Sequence, residues 1–307
     1  MPPAVKGHRY LTADVFTSVP FAGNPLAVFP DARAIPEDRL QAIAREFNLS
    51  ETVFVYPPAE ARHARRLRIF TPAEELPFAG HPTVGTAWVL AALGEIPLTG
   101  GSTRIIFEEG VGAVPVTIKG RGKRPTFAQL TAAMLPEVGP PPPGRTFLAE
   151  MLGLDPADIQ GGMMAPQAVS CGLRFLFVAV KDRACVARAR IRMDHWESTL
   201  KSYWAPQLMV FSRDAETPGA DVHARVFVPG LAVPEDPATG SAAAALGGFL
   251  AARESGSEGT FHWLVEQGVE MGRPSFLHIE VDKAAGEIAA VRVGGECVLV
   301  SEGKVAA

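Results

Sequence analysis

Cysteine is scarce in this chain of 307 residues, and the three that occur, Cys171, Cys185 and Cys297, form no CxxC pair. An odd number of widely spaced cysteines argues against a disulfide framework and predicts a reducing compartment, the cytoplasm. Long apolar runs are missing as well. The longest, Ala87–Leu93 and Ala242–Ala252, are too short to cross a bilayer, and the first ten residues lack the apolar core of a secretion signal. We therefore expect a cytoplasmic protein that does not bind membranes.

The sequence also lacks the short motifs that hold cofactors and metals. No GxGxxG follows a strand, the stretch DPATGS lacks the GK[ST] of a phosphate-binding loop, and no GxSxG turn of a serine hydrolase is present. The seven histidines include no HExxH pair. These absences predict a protein that works without metal, nucleotide or other cofactor.

Positive charge is not in excess. The net charge of −4 argues against a nucleic-acid partner, because proteins that bind nucleic acid normally present a basic face. Two local basic clusters, Arg62–Arg68 and Arg121–Arg124, are interpreted as a solvated strand flank and a charged loop.

What the sequence does contain is many short segments typical of strands and two very apolar helices. The helices are predicted from Pro82 to Leu93 and from Gly240 to about Arg253. A helix that is apolar on nearly all faces must be buried, so we expect a sheet around each. The length favours two domains of roughly 150 residues each. We place them at residues 1–125 and 126–307, and the final strands are candidates to pack back on the first domain.

One pentapeptide occurs twice with a single letter changed, as FAGNP at Phe21–Pro25 and as FAGHP at Phe78–Pro82. Gly and Pro indicate a turn in both copies. Asn24 can only donate and accept hydrogen bonds, whereas His81 can titrate near neutral pH. We therefore interpret the copies as one reused turn, in which Asn24 orients a ligand and His81 moves protons.

Three stretches are candidates for a functional site, although a helix cap or strand edge would explain each one singly. Two of them precede the apolar helices, whose first turns present unpaired N–H groups and the positive end of the helix dipole. Two such helix starts facing each other across a domain cleft would bind a carboxylate. Glu51, His81 and Asp236 would add proton-transferring groups beside it. The stretches are NLSETVF at Asn48–Phe54, LPFAGHPTVG at Leu76–Gly85 and PEDPATGSAAAA at Pro234–Ala245.

In this order, the stretches resemble motifs of the phenazine-biosynthesis-like (PhzF) family. The resemblance covers nearly the whole chain and runs through DVFTSVPFAGNPLAV, LSETVF, RIFTPAEELPFAGHPTVG, RVFVPGLAVPEDPATGSAA and QGVEMGRPS. It implies the α+β fold of the diaminopimelate-epimerase-like proteins. In that fold two similar domains each have a curved mixed or antiparallel sheet or barrel around a central apolar helix, with the active site between them.

The resemblance also implies an activity. Family members are cofactor-independent isomerases, commonly homodimers, and the best-known reaction is isomerisation of a dihydro-hydroxyanthranilate by moving a proton between ring carbons. We therefore expect an isomerase that acts by acid–base catalysis on a small anionic, carboxylated metabolite.

Carried onto this sequence, the resemblance makes Glu51 the principal acid or base and adds His81, Asp236 and Ser241 to the catalytic set. Neither helix start carries a cysteine, so the two-thiol racemisation of related epimerases is not expected. The residues that we expect to bind substrate are Asn24, Gly80, Thr83, Thr239 and Gly240.

Two other functions remain open at this point. One is a racemase or epimerase of amino or imino acids that uses no thiols, and the other is a catalytically silent dimeric binding protein. Two positions depart from the family pattern: Ala232 stands where Gly is expected, and Arg174 stands where relatives often have Pro. Arg174 either binds an anionic group of the substrate or faces solvent.

Overall fold

A computed structural model describes residues 7–231 and 233–306, so Ala232 lies outside the described part of the chain. The chain forms two compact units. Unit 1 contains the chain up to Thr131 together with the segment from Gly294 onward, and unit 2 contains Ala132–Val293. No helix among the described residues is long and apolar enough to cross a membrane.

Between residues 7 and 131, the described part of unit 1 forms eight strands and two α-helices. Helix α1 ends at Asn48, whose left-handed conformation (φ 49°) lets the chain turn directly into the next strand, as its sequence predicts. The elements are β1 (His8–Val15), β2 (Asn24–Phe29), α1 (Leu40–Phe47), β3 (Glu51–Tyr56), β4 (Arg65–Phe70), β5 (Glu75–Leu76), α2 (Gly80–Ala92), β6 (Ser102–Glu109), β7 (Gly112–Arg121) and β8 (Arg124–Thr131).

The described residues of unit 2 form nine strands and four α-helices, and the last of these strands ends two residues inside the segment that belongs to unit 1. The elements are β9 (Glu137–Val138), α3 (Arg145–Leu152), β10 (Gln167–Ser170), β11 (Arg174–Ala179), α4 (Arg183–Arg188), α5 (Met193–Ser198), β12 (Gln207–Ser212), β13 (Val222–Val228), β14 (Val233–Asp236), α6 (Gly240–Ala251), β15 (Gly259–Gln267), β16 (Ser275–Ala284) and β17 (Glu287–Gly295). The final strand, β18 (Cys297–Val305), pairs with β1 and completes unit 1.

The sheet of unit 1 is mixed and surrounds helix α2. Its strands pair in the order β18–β1–β2–β3–β4–β6–β7–β8; the β2–β3 and β4–β6 pairs are parallel, and the others are antiparallel. Helix α2 contacts six of these strands, namely β1, β2, β3, β7, β8 and β18. Eleven of its residues are buried, which its nearly uniform apolar sequence predicts.

Unit 2 repeats this pattern of pairings around helix α6. Strands β10 to β13 and β15 to β16 pair as antiparallel, parallel, antiparallel, parallel and antiparallel, the same succession as β1 to β4 and β6 to β7. A short strand precedes the buried helix in each unit, β5 beside β4 and β14 beside β13. All twelve residues of α6 are buried. The expected α+β fold, with two similar halves that each enclose an apolar helix, is therefore confirmed.

Candidate active site

The side chains of Glu51 and His81 meet inside unit 1. Glu51 is the first residue of β3, and His81 is the second residue of α2. His81 Nε2 lies 3.3 Å from Glu51 Oε2, and the two side chains are 5% and 15% exposed. The geometry of this contact is not that of a hydrogen bond, but it brings a carboxylate and an imidazole close enough to be candidates for general acid–base catalysis.

Burial changes the chemistry expected of His81. The imidazole is buried at the start of α2, and loss of hydration lowers the pKa of His81 to about 3. This direction is opposite to the sequence-based expectation that His81 titrates near neutral pH. At neutral pH His81 is an uncharged imidazole, with one nitrogen that donates and one that accepts a hydrogen bond.

The two FAG segments adopt different backbones, which corrects the interpretation of one reused turn. In the first copy Phe21 and Gly23 both have left-handed conformations (φ 71° and 64°), and Asn24 begins strand β2. In the second copy Ala79 is extended (φ −151°) and Gly80 begins helix α2. The same letters thus lead into a strand in one place and into a helix in the other.

The first turn of α2 leaves two backbone donors without helical partners. Pro82 has no N–H, and the N–H of Thr83 donates to the carbonyl oxygen of Ala79 at 3.3 Å. The N–H groups of Gly80 and His81 therefore remain as the donors at the positive end of this buried helix. Such a helix start is suited to an anionic group.

Two predicted substrate-binding side chains, Asn24 and Thr83, are fully buried in unit 1. Asn24 lies two residues before Leu26, which is beside Glu51 in the parallel pair of β2 and β3. The Thr83 hydroxyl lies 2.7 Å from a carboxylate oxygen of Glu109. Asn24 thus begins the strand that pairs with β3, and Thr83 lies in the first turn of α2, while their contact with a ligand stays a prediction.

In unit 2, a hydrogen-bonded turn joins Asp236 at the end of β14 to the start of α6. Thr239 Oγ1 donates to Asp236 Oδ2 at 2.5 Å. The amide of Gln267 holds the same turn at both ends: its nitrogen donates to the Asp236 carbonyl oxygen at 2.7 Å, and its oxygen accepts from the Thr239 N–H at 3.2 Å. The side chain of Gln267, which is fully buried, therefore holds Asp236 and Thr239 in place.

Gly240 and Ser241 form the start of α6, and both are buried. The Ser241 hydroxyl has no hydrogen-bond partner among the residues that the structure describes. The first helical hydrogen bond runs from the N–H of Ala243 to the carbonyl oxygen of Thr239. The N–H groups of Gly240, Ser241 and Ala242 thus have no partner within the helix.

The sequence analysis missed the residues that hold this turn in place. Gln267 ends strand β15, which was not predicted. Arg225 is 4% exposed and binds both carboxylate oxygens of Glu235, the neighbour of Asp236, at 2.7 Å. The QGVEMGRPS motif was the available signal for Gln267, and the side-chain contact that gives the motif its meaning is visible only in the fold.

Arg174 and the three cysteines are the other residues that the sequence analysis singled out. Arg174 is exposed, and its guanidinium lies 4.8 Å from the ring centre of Trp204. All three cysteines are buried, and burial raises the pKa of each thiol, that of Cys171 to about 12. Among the described residues, no group of three or more His, Cys, Asp or Glu side chains could hold a metal ion.

Comparison with known proteins identifies relatives along the whole chain. Residues 13–303 match the family of phenazine biosynthesis-like proteins. An uncharacterized isomerase of Mesorhizobium japonicum is 40% identical, with 97% of this chain and 98% of that protein covered. Trans-2,3-dihydro-3-hydroxyanthranilate isomerase of Pseudomonas aeruginosa is 35% identical, with 97% and 99% covered.

A solved structure shows the same fold. The crystal structure of the Bacillus anthracis phenazine biosynthesis protein of the PhzF family superposes with a TM-score of 0.88 at 25% identity, covering 99% of this chain and 100% of that one. Together, the sequence match, the named isomerases and this fold establish that the chain is an isomerase and belongs to the phenazine biosynthesis-like family.

Proposed function

We propose that the protein moves a proton between two carbons of a small carboxylated metabolite, with Glu51 as the acid and base and without a cofactor. The observation that carries this proposal is the buried contact of 3.3 Å between Glu51 and His81 at the start of an apolar helix. In the first step the Glu51 carboxylate takes a proton from one carbon. In the second it returns the proton to another carbon, so the overall change is an isomerisation.

The neutral state of His81 gives this residue a supporting part in the reaction. We propose that, when substrate binds, the uncharged imidazole donates from Nε2 to the Glu51 carboxylate and holds it in one orientation, although Nε2 and Glu51 Oε2 are not hydrogen-bonded to each other in this structure. It does so without the positive charge that would make the carboxylate a weaker base. The N–H groups of Gly80 and His81 are suited to bind the substrate carboxylate.

We also propose that Asp236 and Ser241 take part in the same reaction. Asp236 supplies a second carboxyl group on a rigid turn, and Ser241 supplies a hydroxyl at a helix start that is suited to an anion. The relative from Pseudomonas aeruginosa supports a dihydro-hydroxyanthranilate as the first substrate to test.

The test is solvent deuterium incorporation. The protein is incubated in D2O with trans-2,3-dihydro-3-hydroxyanthranilate and then with metabolite pools, and the products are examined by NMR and mass spectrometry. The proposal predicts deuterium at carbon together with a shifted double bond. Deuterium with inverted configuration and unchanged bonding would identify a racemase, and binding without exchange would identify a silent binding protein.

Replacing Glu51 by Gln should lower the exchange rate by roughly 10²–10⁴-fold, because an amide has nearly the same shape as the carboxyl group but neither takes up nor releases a proton near neutral pH. Thermal unfolding should stay close to that of the wild type. The control is Glu46→Gln on the exposed face of α1, which should have no effect on exchange. Wild-type rates in the Glu51→Gln protein would end the assignment.

A further inference from the structure

Glu109, the last residue of β6, carries a buried carboxyl group that the proposed reaction does not use. It is 7% exposed. Its Oε1 lies 2.7 Å from Thr83 Oγ1, and its Oε2 is buried with no hydrogen-bond partner among the described residues. Thr83 Oγ1 also lies 2.8 Å from the carbonyl oxygen of Ala79, in the turn that starts α2.

These contacts limit where the protons can be. A hydroxyl has one hydrogen, and a carbonyl oxygen can only accept. If Thr83 donates to the Ala79 carbonyl, the contact with Glu109 is a hydrogen bond only when Glu109 is the donor, and therefore only when its carboxyl group is protonated. The alternative leaves an ionised carboxylate buried with a single partner, which costs several kcal/mol.

We infer that Glu109 is a neutral carboxylic acid at neutral pH, that it donates its proton to Thr83 Oγ1, and that it positions the first turn of α2. The chain of hydrogen bonds then runs from Glu109 to Thr83 and on to the Ala79 carbonyl, so every hydrogen has one acceptor. The positioning part of this inference rests on the proposed function, and the protonation part does not.

The contact between Glu109 and Thr83 lies on the face of α2 opposite to the Glu51–His81 pair. Side chains two residues apart on an α-helix point about 200° apart, so Thr83 and His81 leave the first turn in opposite directions. The turn that presents the Gly80 and His81 N–H groups is therefore held between Glu51 on one face and Glu109 on the other.

The surroundings of Glu109 favour the neutral form. Burial raises the pKa of Glu109 to about 8, although the hydrogen bond with Thr83 acts in the opposite direction. Glu109 lines a groove of about 920 Å³. Within the described part of the chain, the other charged side chains that line this groove do not form a hydrogen bond or ion pair with Glu109. They are Glu37, Arg66, Arg68, Glu75 and Glu108. Arg68 is bound by Glu37 and Glu75, and Glu108 accepts from the N–H groups of residues 59 and 60.

Infrared difference spectroscopy tests the protonation without any substrate. Wild-type protein minus the Glu109→Gln variant should show the carbonyl band of a protonated carboxyl at neutral pH, and the band should disappear as the pH rises past about 8. Absence of this band from the difference spectrum would overturn the inference.

The pH dependence of stability gives a second readout. The unfolded state releases this proton near pH 4.5, whereas the folded state keeps it to about pH 8. The unfolded state therefore binds fewer protons in that interval, and stability falls as pH rises through it. The wild type should lose stability relative to Glu109→Gln across this interval, and a constant difference would contradict the inference.

Positioning is tested by two replacements of Glu109 and a matched control. Leu cannot donate to Thr83, so Glu109→Leu should slow deuterium exchange by about tenfold, as expected for a buried hydrogen bond. Glu109→Gln keeps a donor and should restore most of the rate. Thr86 lies on the same helix with a buried hydroxyl that has no hydrogen-bond partner among the described residues, so Thr86→Val should leave the rate unchanged. Equal rates for the Leu and Gln variants would remove the positioning role. Absence of any exchange by the wild type would instead count against the proposed function.

Discussion

At the residue scale, burial determines which groups of the site carry charge. Glu51 and His81 lie side by side, but the imidazole is buried more deeply and loses its positive form over the physiological pH range. Glu109 keeps its proton for the same reason. A sequence names these residue types, but it cannot assign their protonation, because that depends on which side chains exclude water from them after folding.

We predict that His81 stays neutral in the folded protein from about pH 5 to pH 8, because burial lowers its pKa to about 3. NMR of histidine-labelled protein, with the His81 signals assigned through a His81→Gln variant, should show constant ring shifts over this range. In urea the same signals should titrate near pH 6.5. A titration near neutral pH in the folded state would restore the sequence-based expectation.

The low pKa of His81 also makes the stability of the folded protein depend on pH. Between about pH 6.5 and pH 3 the unfolded chain holds a proton on His81 that the folded chain does not. Stability therefore falls as pH is lowered through this range. Relative to His81→Gln, the wild type should become less stable on acidification, as measured by urea unfolding.

At the scale of elements, the Asp236–Thr239 turn before α6 depends on Gly268, the residue that follows strand β15. Gly268 has φ +77°, and a Cβ there would lie 2.6 Å from the Pro237 carbonyl oxygen and 2.5 Å from that of Arg273. Backbone atoms cannot move aside as side-chain ends do. Gly268 is therefore required both for its left-handed conformation and for the close approach of the Asp236–Thr239 turn.

We predict that Gly268→Ala destabilises the protein and slows deuterium exchange, whereas Gly272→Ala affects stability only modestly. Both glycines are left-handed, so both substitutions add roughly 1–2 kcal/mol of backbone strain. Only Gly268 adds a clash, because no atom lies within 4 Å of a Cβ at Gly272. Chemical denaturation and the exchange assay should separate the two, and equal effects would show that strain alone matters.

A second element-scale prediction concerns His223, which joins three elements of unit 2. Its Nδ1 lies 2.7 Å from Glu266 on β15 and its Nε2 lies 2.8 Å from Glu270 in the next turn. Burial opposes the charged form, but hydrogen bonds to Glu270 and Glu266 outweigh it and raise the pKa of His223 above 6.5. The stability that its charged form contributes is present below about pH 6.5 and is lost as pH rises through the raised pKa.

Replacing His223 by Gln should therefore cost most stability at mildly acidic pH and progressively less as pH rises. The measurement is urea unfolding of the wild type and variant at several pH values, with the exposed His262→Gln as the control. A stability difference that does not change with pH would contradict a charged His223.

Most elements could be predicted from sequence, and the exceptions have physical reasons. The two apolar helices and the Asn48 cap follow from local pattern. The full burial of Glu266 and Gln267 at the end of β15 could not be predicted, because both residues are polar. Their partners come from distant parts of the chain, so no local pattern indicates the burial.

At the scale of the whole molecule, the two halves have one plan of strand pairing but contribute different chemical groups. The start of α2 is associated with a carboxylate and an imidazole, and the start of α6 with a carboxylate and a hydroxyl. Sequence analysis predicted two similar halves from the two apolar helices. The FAGNP and FAGHP segments are not equivalent parts of the two halves, because both belong to unit 1 and they adopt different backbones.

We predict that activity does not depend on an added metal, nucleotide or pyridoxal phosphate, because the proposed reaction is proton transfer by side chains alone. Exchange rates should be the same before and after dialysis against a chelator. Adding divalent metals or cofactors to the dialysed protein should also leave the rate unchanged. Recovery of lost activity by any of them would show that the proposed chemistry is incomplete.

The pairing of β18 with β1 determines the order in which the two units can fold during synthesis. Residues of β1 emerge from the ribosome first, but their partners in β18 emerge only after all of unit 2. A nascent chain can therefore complete the inserted unit 2 while the first-made unit still has an open sheet edge, which reverses the usual order from the N-terminus. A nascent chain that ends just before Cys297 and is held on the ribosome by a linker long enough to span the exit tunnel should thus display a protease-resistant unit 2 and an unfinished unit 1 that is prone to aggregation.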